Sequence, residues 1–340
     1  MIKVKPVKLQ NNNEGENVSG KTTISRSHIP VDAIKVYLSE HIHPSAMQKL
    51  LSRAEVIANF DHPEELDAAI IRVAKMPRSV IEKAKKMKVI AKHGIGYDNI
   101  DVAAAKEFGI RVVYTPTANV NSVAELIISL ILACKRCIVR ADAMVRQDAC
   151  KQIAPKELTG QELAGSVVGL VGLGKIAQTA GRILRDGFGC SLIGYDPFVS
   201  KEQAENLGIK KYDNLEQLLA ESDCVNISVP LTDSTRNLIS SAQLACMKPT
   251  AVLVNAARGG IVNEKALHDA LSARQIFAAA CDVFEIEPPS ADNPLATLDN
   301  FIVTPHVGAN TDEALYRMGM GVVDDIFRIM DGHEPQYPVF

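Results

Sequence analysis

Arg258, Glu287 and His306 are the residues of this 340-residue chain whose types best suit acid–base and anion chemistry. Each lies shortly after an apolar stretch that is typical of a buried strand. The carboxyl ends of parallel strands face one crevice, so we expect the three side chains to converge there. A lone arginine is more often a surface ion pair and a lone histidine more often structural, but three such residues at strand ends indicate a site.

The chemistry expected of these three residue types is specific. An arginine guanidinium is a planar fork that can clamp a carboxylate at two points. A glutamate hydrogen-bonded to a histidine fixes the tautomer of the ring and favours its charged form. His306 is therefore a candidate proton donor near neutral pH, with Glu287 as its partner and Arg258 as an anion clamp.

A second motif, Gly-Leu-Gly-Lys-Ile-Ala at residues 172–177, follows an apolar strand and opens a helix. Gly172 permits the tight turn, and Gly174 has no side chain to keep a pyrophosphate from the backbone. The helix N-terminus presents unpaired N–H groups to phosphates. We therefore predict a dinucleotide site with Gly172, Gly174, Lys175 and Ile176 among its contacts.

An acidic residue ends the next predicted strand, as this motif requires. Asp196 lies 24 residues after Gly172. A carboxylate there accepts hydrogen bonds from the ribose hydroxyls and repels a 2′-phosphate. The sequence therefore predicts NAD rather than NADP as the cofactor.

The elements that must position these residues alternate between strand and helix, which predicts two doubly wound parallel-sheet α/β units joined by one long helix. A cleft between two such lobes is a usual place for a small ligand. Predicted strands are 34–38, 55–58, 69–73, 89–92, 111–114, 166–171, 191–196, 224–229, 251–255, 278–283 and 301–303, and predicted helices are 44–51, 78–86, 102–107, 123–147, one from 175, and 312–330.

Composition and charge exclude several classes of protein. The net charge is −3, which argues against nucleic acid or an anionic membrane as the main partner. We expect no transmembrane span or signal peptide, and the seven cysteines, an odd number, favour a reducing, cytoplasmic compartment. Residues 1–32 are polar, with an edge strand at most in 2–9, and we expect a partly disordered extension.

The sequence resembles the D-isomer-specific 2-hydroxyacid dehydrogenases, most closely the phosphoglycerate dehydrogenase-like branch, over about residues 33–335. The resemblance rests on residues 94–101 (GIGYDNID), residues 122–126 (SVAEL), the nucleotide loop, and the order and spacing of the Arg, Glu and His segments. It implies a Rossmann NAD-binding domain at 119–308 and a flavodoxin-like substrate domain formed by 33–118 together with 309–340. The implied activity is NAD-dependent hydride transfer between the nicotinamide and a small D-2-hydroxy acid or 2-oxo acid, such as hydroxypyruvate, glyoxylate or 3-phosphoglycerate.

The same resemblance implies a role for individual residues. It makes His306 the acid/base, Glu287 its partner, and Arg258 the clamp for the substrate carboxylate and carbonyl. Lys92 and His93 stand where that branch more commonly has Arg-Ala, so a phosphorylated substrate is left open. The implied cofactor contacts include Pro230, Thr235, Ala256, Asp282 and His306, and the implied substrate contacts are Arg72, Gly94, Ile95, Gly96 and Arg258. Of these, Arg72 stands where the branch has an arginine near the substrate, which implies that it reads a distal anionic group.

The resemblance also implies a homodimer, because the family's helix beginning near Ser122 forms much of a dimer interface. In this chain that helix carries more apolar side chains than one face packed on its own subunit needs, so we expect a symmetric dimer. The apolar residues in question are Leu126, Ile127, Leu130, Ile131 and Ile138.

Other functions remain open at this stage. An NADH-sensing binding protein similar to the family's corepressors, or a phosphite dehydrogenase, would fit the same fold. Formate oxidation is disfavoured, because formate dehydrogenases have Gln where this chain has Glu287. We expect no metal site, since the C-x-x-C at Cys134 and Cys137 lacks a second pair of ligands.

Overall fold

The computed structural model of the protein describes residues 33–340. These residues form two parallel β-sheets with helices packed on them, so the predicted α/β class with two doubly wound sheets is confirmed. The predicted N-terminal extension, including its possible edge strand, lies outside the described residues.

The first sheet has five strands in the order β2-β1-β3-β4-β5. This is the flavodoxin-like order, whose switch in direction falls between β1 and β3. Ligands of such sheets bind beyond the carboxyl ends of the strands at this switch. The elements are β1 (Ile34–Leu38), α1 (Pro44–Leu51), β2 (Ala54–Ile57), β3 (Ala68–Ile71), α2 (Arg78–Ile81), β4 (Val89–Lys92), α3 (Val102–Glu107) and β5 (Arg111–Val113).

The second sheet has seven strands in the order β12-β11-β10-β9-β6-β7-β8. Its first six strands in chain order have the Rossmann arrangement, with β12 added beside β11. The elements are α4 (Val120–Lys135), α5 (Ile138–Arg146), β6 (Val167–Val171), α6 (Lys175–Phe188), β7 (Ser191–Tyr195), α7 (Lys201–Asn206), β8 (Lys210–Lys211), α8 (Leu215–Glu221), β9 (Cys224–Ile227), α9 (Ser241–Ala245), β10 (Val252–Asn255), α10 (Glu264–Ser272), β11 (Ala278–Cys281), β12 (Phe301–Val303) and α11 (Asp312–Met330).

The last helix, α11, returns to the first sheet. Its Val322 and Ile326 are buried in the same apolar cluster as Val36 of β1 and Ala91 of β4. The residues after α11 also reach that sheet, since the N–H of Val339 donates to the carbonyl of Val112 at 2.8 Å. The core of the first lobe therefore combines the two ends of the described chain.

The single long helix predicted for 123–147 is wrong. The structure has two helices, α4 and α5, separated by Cys137 in the left-handed region at φ 51°. The carbonyl of Lys135 accepts from the N–H of Gln161 at 2.7 Å instead of continuing the helical ladder. Periodicity could not reveal this break, because the competing donor is 26 residues away.

The other bounds differ less. The helix predicted for 78–86 ends at Ile81, and tighter turns follow, in which Ala84 N–H donates to the Ile81 carbonyl at 3.0 Å. Several strands are one or two residues shorter than predicted, while β1, α1, β4, α3, β12 and α11 have the predicted bounds. Helices α7 to α10 and the short β8 were not predicted.

Most of the apolar side chains on the helix after Ser122 are buried within the chain's own core. Ile127, Leu130 and Ile131 are at most 4% exposed, in a cluster with strands of the second sheet. That part of the dimer argument is therefore wrong. Of the residues named for that interface, Ile138 is 53% exposed; it lies on α5, where Val145 is 67% exposed.

Candidate active site

Asp282 organises the loop that follows β12. This residue comes directly after β11 and is 1% exposed. One carboxylate oxygen accepts from the Thr304 hydroxyl at 2.6 Å and the Val307 N–H at 2.8 Å, and the other accepts from the Gly308 N–H at 2.8 Å. The Asp282 carbonyl accepts the His306 N–H at 2.8 Å. Buried carboxylates require such partners, so the loop conformation is fixed by this one side chain.

His306 stands in the middle of that loop with φ +56°, a strained region for a histidine. Such outliers persist only where the surroundings enforce them, and they cluster at functional sites. The Asp282 contacts supply that enforcement. About a third of the His306 side chain remains exposed, so the ring is open to a ligand.

The predicted pairing of His306 with Glu287 is present. His306 Nδ1 lies 2.8 Å from Glu287 Oε2, and Glu287 Oε1 accepts from the Phe284 N–H at 3.1 Å. Burial opposes ionisation of Glu287, but the His306 hydrogen bond and charge outweigh it and keep the pKa of that carboxyl below its usual value. The ionised carboxylate can only accept, so Nδ1 carries the proton and Nε2 is the nitrogen left for a substrate.

Arg258 bridges the two lobes. Its Nε donates to Asp98 Oδ1 at 2.9 Å, and Nη1 donates to the Ala257 carbonyl at 2.7 Å. The backbone of Gly96 lies against the guanidinium, since a Cβ built there would come within 1.6 Å of Arg258 Nη2. Glycine at position 96 is therefore required for this contact.

The loops of Arg258 and Glu287 also touch. A Cβ at Gly259 would lie 1.9 Å from the carbonyl oxygen of Phe284, so the two backbones meet there. The positive charge of Arg258 acts on Glu287 and helps to lower its pKa. The structure therefore brings Arg258, Glu287 and His306 to one edge of the second sheet, as the sequence predicted for strand ends.

The nucleotide loop has the shape that a pyrophosphate needs. Gly172 has φ +91°, and a Cβ there would lie 2.5 Å from the Ser228 carbonyl oxygen. Gly174 precedes the first turn of α6, and nothing lies within 4 Å of the position its Cβ would take. The first N–H groups of α6, beginning at Lys175 and Ile176, have no acceptor within the helix. Open space before free amides fits the phosphates of a dinucleotide.

The remaining predicted cofactor residues lie at the same edge. Asp196 follows β7 and accepts from the N–H of Leu173 in the loop at 2.9 Å. Thr235 donates its hydroxyl to the Pro230 carbonyl at 2.6 Å, which closes the turn after β9. Ala256 directly follows β10. These residues share the carboxyl edge of the sheet with Asp282 but make no hydrogen bond to His306 among residues 33–340.

The predicted substrate residues of the first lobe also follow strand ends. Arg72 comes directly after β3, and its guanidinium lies 3.5 Å from Asn310 Oδ1. Gly94 has φ +150° and exchanges hydrogen bonds with Thr115 beyond β5. The stretch containing Ile95 leads from there to Gly96 at Arg258. The backbone at Gly96 therefore meets the second lobe at Arg258, while Arg72 contacts Asn310 near the point where the chain returns to the first sheet.

Lys92 and His93, where the chain departs from its branch, are both buried. Burial lowers the pKa of Lys92 to about 8, with the charge of Arg258 adding to the effect. Burial, with a contribution from Arg72, lowers the pKa of His93 to about 4, so its ring is neutral at neutral pH. Neither ring nitrogen of His93 makes a hydrogen bond of good geometry among the described residues.

Four residues of the site carry no role in the sequence-based prediction. Asn255 is 2% exposed and fixes the Arg258 loop, since its amide donates to the Arg258 carbonyl at 3.0 Å. Asp98 pairs with Arg258, and Glu40 and Lys92 contact the backbone of residues 72–74. Asp98 stood within the 94–101 motif and Asn255 at the end of a predicted strand, whereas nothing in the sequence singles out Glu40.

Residues 128–308 match the family described as D-isomer specific 2-hydroxyacid dehydrogenase, NAD binding domain. The chain is 43% identical over 308 residues to a D-3-phosphoglycerate dehydrogenase of Methanocaldococcus jannaschii, covering 88% of this chain and 58% of that one. It is 40% identical over 307 residues to a hydroxypyruvate reductase of Thermotoga maritima, covering 86% and 97%. The chain therefore spans little more than half of the first relative and nearly all of the second.

A solved structure agrees with these sequence matches. The TT0316 protein of Thermus thermophilus superposes with a TM-score of 0.84 at 32% identity, over 90% of this chain and 100% of that one. The similarity therefore extends over both lobes.

Proposed function

Because the chain belongs to the D-isomer-specific 2-hydroxyacid dehydrogenases and carries their NAD-binding domain, we propose that it interconverts a small D-2-hydroxy acid and the corresponding 2-oxo acid. The observation that carries this proposal is the His306–Glu287 pair at 2.8 Å beside Arg258, at the edge of a dinucleotide-binding sheet. A proton donor and an anion clamp are the two groups that reduction of a 2-oxo acid requires.

The protein's own residues do the following in this reaction. Arg258 binds the substrate carboxylate and stabilises the negative charge that develops on the carbonyl oxygen. His306 donates the proton from Nε2 to that oxygen, while Glu287 holds the imidazolium through Nδ1. The backbone of Gly96 lies against the Arg258 guanidinium, so the first lobe contributes to the surroundings of the clamp.

The dinucleotide, when bound, supplies or accepts the hydride. We propose that Gly172, Gly174, Lys175 and Ile176 hold its pyrophosphate, and that Asp196 binds the ribose and selects NAD. Pro230, Thr235 and Ala256 line the same edge, and Asp282 holds the carboxamide of the nicotinamide.

The substrate class is tested with a panel of 2-oxo acids and both reduced cofactors. Glyoxylate, hydroxypyruvate, pyruvate, phenylpyruvate and 3-phosphohydroxypyruvate are each offered with NADH and with NADPH, and the loss of cofactor absorbance is followed. We expect turnover with NADH on at least one short acid and far less with NADPH. Cofactor binding without turnover would indicate a sensor instead, and oxidation of phosphite with NAD would indicate the other alternative.

We propose the domain division 33–118 with 309–340, and 119–308. The packing of α11 on the first sheet supports it. The chain passes from one sheet to the other near residues 118–122 and again near 308–311, and these two passages also support the division. They are joined by a hydrogen bond that the Ser122 hydroxyl donates to the Gly308 carbonyl at 2.6 Å. The two lobes meet where the backbone of Gly96 lies against the Arg258 guanidinium.

We further propose that the protein is a cytoplasmic homodimer. Three exposed apolar side chains on α5 support an interface there, namely Ile138, Val139 and Val145. No helix between residues 33 and 340 is long and apolar enough to cross a membrane. Light scattering at micromolar concentration is expected to give twice the chain mass, and Val145→Glu is expected to give a monomer. A wild-type monomer would contradict the proposal.

A further inference from the structure

The turn formed by residues 72–74 is held by one carboxylate on its N–H side. Glu40 lies two residues after β1, and its oxygens accept from the N–H of Arg72 at 2.9 Å, Val73 at 3.1 Å and Ala74 at 3.1 Å. Successive N–H groups that point to one spot form an anion-binding concavity. In this lobe the Glu40 carboxylate is the anion that occupies the concavity. Burial opposes ionisation of Glu40, but hydrogen bonds from the Ser39 hydroxyl and from these three N–H groups outweigh it and hold the pKa of Glu40 below its usual value.

The carbonyl side of the same turn is held by a cation and an amide. Lys92 Nζ donates to the Arg72 carbonyl and, at 2.7 Å, to Asn99 Oδ1. The Asn99 amide donates in turn to the Ala74 carbonyl at 2.6 Å. Residues 72–74 are therefore fixed from both sides by side chains from the ends of β1 and β4.

The side chain carried by this turn has few partners of its own. Among residues 33–340, the Arg72 guanidinium makes one hydrogen bond, to Asn310 at the long distance of 3.5 Å. Arg72 lies at the end of β3, beside the switch point of the first sheet where ligands bind. The backbone of Arg72 is held by several hydrogen bonds, while its guanidinium has few partners within the protein. Such an arrangement suits a side chain that binds a ligand.

We propose that Glu40 and Lys92 are positioning residues, which clamp the 72–74 turn and thereby present Arg72 to the part of the substrate beyond its carbonyl. This inference rests on the proposed function for the identity of the ligand. The clamp itself, defined by Glu40, Lys92 and the 72–74 backbone, does not depend on it.

Charged groups surround the clamp. The cations Arg258 and Arg72 and the carboxylates Asp98 and Glu40 act on Lys92, while Glu40 and Asp282 act on Arg72. An anionic group of the substrate beyond the carbonyl would favour the charged form of Lys92, so affinity for a substrate that carries one is expected to fall as pH rises above about 8.

The clamp is tested first without any assay of activity. Amide hydrogen exchange of residues 72–74 is measured in the full chain for Glu40→Gln and Lys92→Met. Both variants are expected to exchange faster at these amides, by about tenfold for Glu40→Gln. The matched controls are Glu65→Gln and Lys88→Met, which remove exposed groups of the same lobe and should leave these amides unchanged.

The positioning role is tested with two substrates of different length. For 3-phosphohydroxypyruvate and hydroxypyruvate, Glu40→Gln and Lys92→Met are expected to raise KM about tenfold with kcat within about twofold. For glyoxylate, which has nothing beyond the carbonyl, KM should stay within about twofold. In an Arg72→Ala background the Glu40→Gln substitution should add no further change. Lys92→Arg should restore KM and remove its rise at alkaline pH.

The outcomes separate the two proposals. Unchanged exchange at residues 72–74 in both variants overturns the clamp, whatever the kinetics show. Faster exchange with equal KM changes for glyoxylate and for the longer acids overturns the positioning role. If the wild-type enzyme turns over none of the acids, the proposed function fails, and the exchange result alone decides the inference.

Discussion

In both lobes a carboxylate at the end of one strand holds the loop that follows a neighbouring strand, but the two loops carry different side chains. In the second lobe Asp282, after β11, accepts N–H groups from the loop after the neighbouring strand β12, and this loop carries His306. In the first lobe Glu40, after β1, accepts N–H groups from the turn after the neighbouring strand β3, and this turn carries Arg72. A strand-end carboxylate thus fixes the loop of His306, the proposed proton donor, in one lobe and the turn of a guanidinium in the other.

The two carboxylates, Asp282 and Glu40, differ in how deeply they are buried. Asp282 is 1% exposed and also receives the Thr304 hydroxyl, whereas Glu40 is only half-buried. The second-lobe device should therefore contribute more to stability and tolerate less change. The first-lobe device can vary with little effect on the fold, which suits a part that adapts to substrate.

The largest expected effect separates chemistry from binding in the second lobe. His306→Ala removes the proton donor, so kcat should fall by about 10²–10⁴-fold. The nucleotide loop is untouched, so NADH binding measured by fluorescence should stay within about threefold. Turnover equal to that of the wild type would exclude His306 as the acid.

The second-largest expected effect tests the hydrogen bonds that Asp282 accepts in the second lobe. In Asp282→Asn an amide replaces a carboxylate that accepts from Thr304, Val307 and Gly308, and its NH2 group cannot accept. The free energy of unfolding should fall by roughly 3–4 kcal/mol in urea titration. The matched change in the first lobe, Glu40→Gln, should lower it by only about 1 kcal/mol. Equal losses would contradict the contrast between the lobes.

A third effect has the opposite sign and concerns Lys92. Its pKa of about 8 in the folded protein lies below the ordinary 10.5, so the unfolded chain binds more protons between these two values. Stability of the wild type should therefore rise as pH increases from about 8 to about 10.5, by up to roughly 3 kcal/mol.

Lys92→Met should lack this rise, because methionine has no group that titrates in this window. Urea titrations of both proteins at pH values on either side of this window measure the difference. Parallel stability curves for the two proteins would show that Lys92 is not the group responsible.

The smallest effect concerns the contact between the lobes. Asp98→Asn keeps an oxygen for Arg258 Nε but removes the charge that pairs with the guanidinium. We expect kcat/KM for glyoxylate to fall by about tenfold, with stability unchanged. Asp61→Asn, on an exposed loop, serves as the control. A fall of the same size in both variants would point to a general charge effect.

The sequence predicted the second lobe's site more fully than the first lobe's. Local motifs identify the glycine loop, Asp196 and the residues at strand ends, because their positions follow from the chain's own periodicity. The clamp on Arg72 could not be predicted, since it joins Glu40, residue 72 and Lys92 across three strands whose order is a property of the fold. For the same reason the helix break at Cys137 stayed hidden.

The return of α11 and residues 337–339 to the first sheet has a consequence for how the protein is made. The strands of this sheet are the first described elements to leave the ribosome, yet the helix that fills their core is the last. At roughly 5–20 residues per second, the roughly 200 residues between β5 and α11 take on the order of 10–40 seconds to synthesise. During that interval the apolar face around Val36 and Ala91 lacks the part of its cover that α11 supplies, so the first lobe can complete its core only after the second lobe has been synthesised.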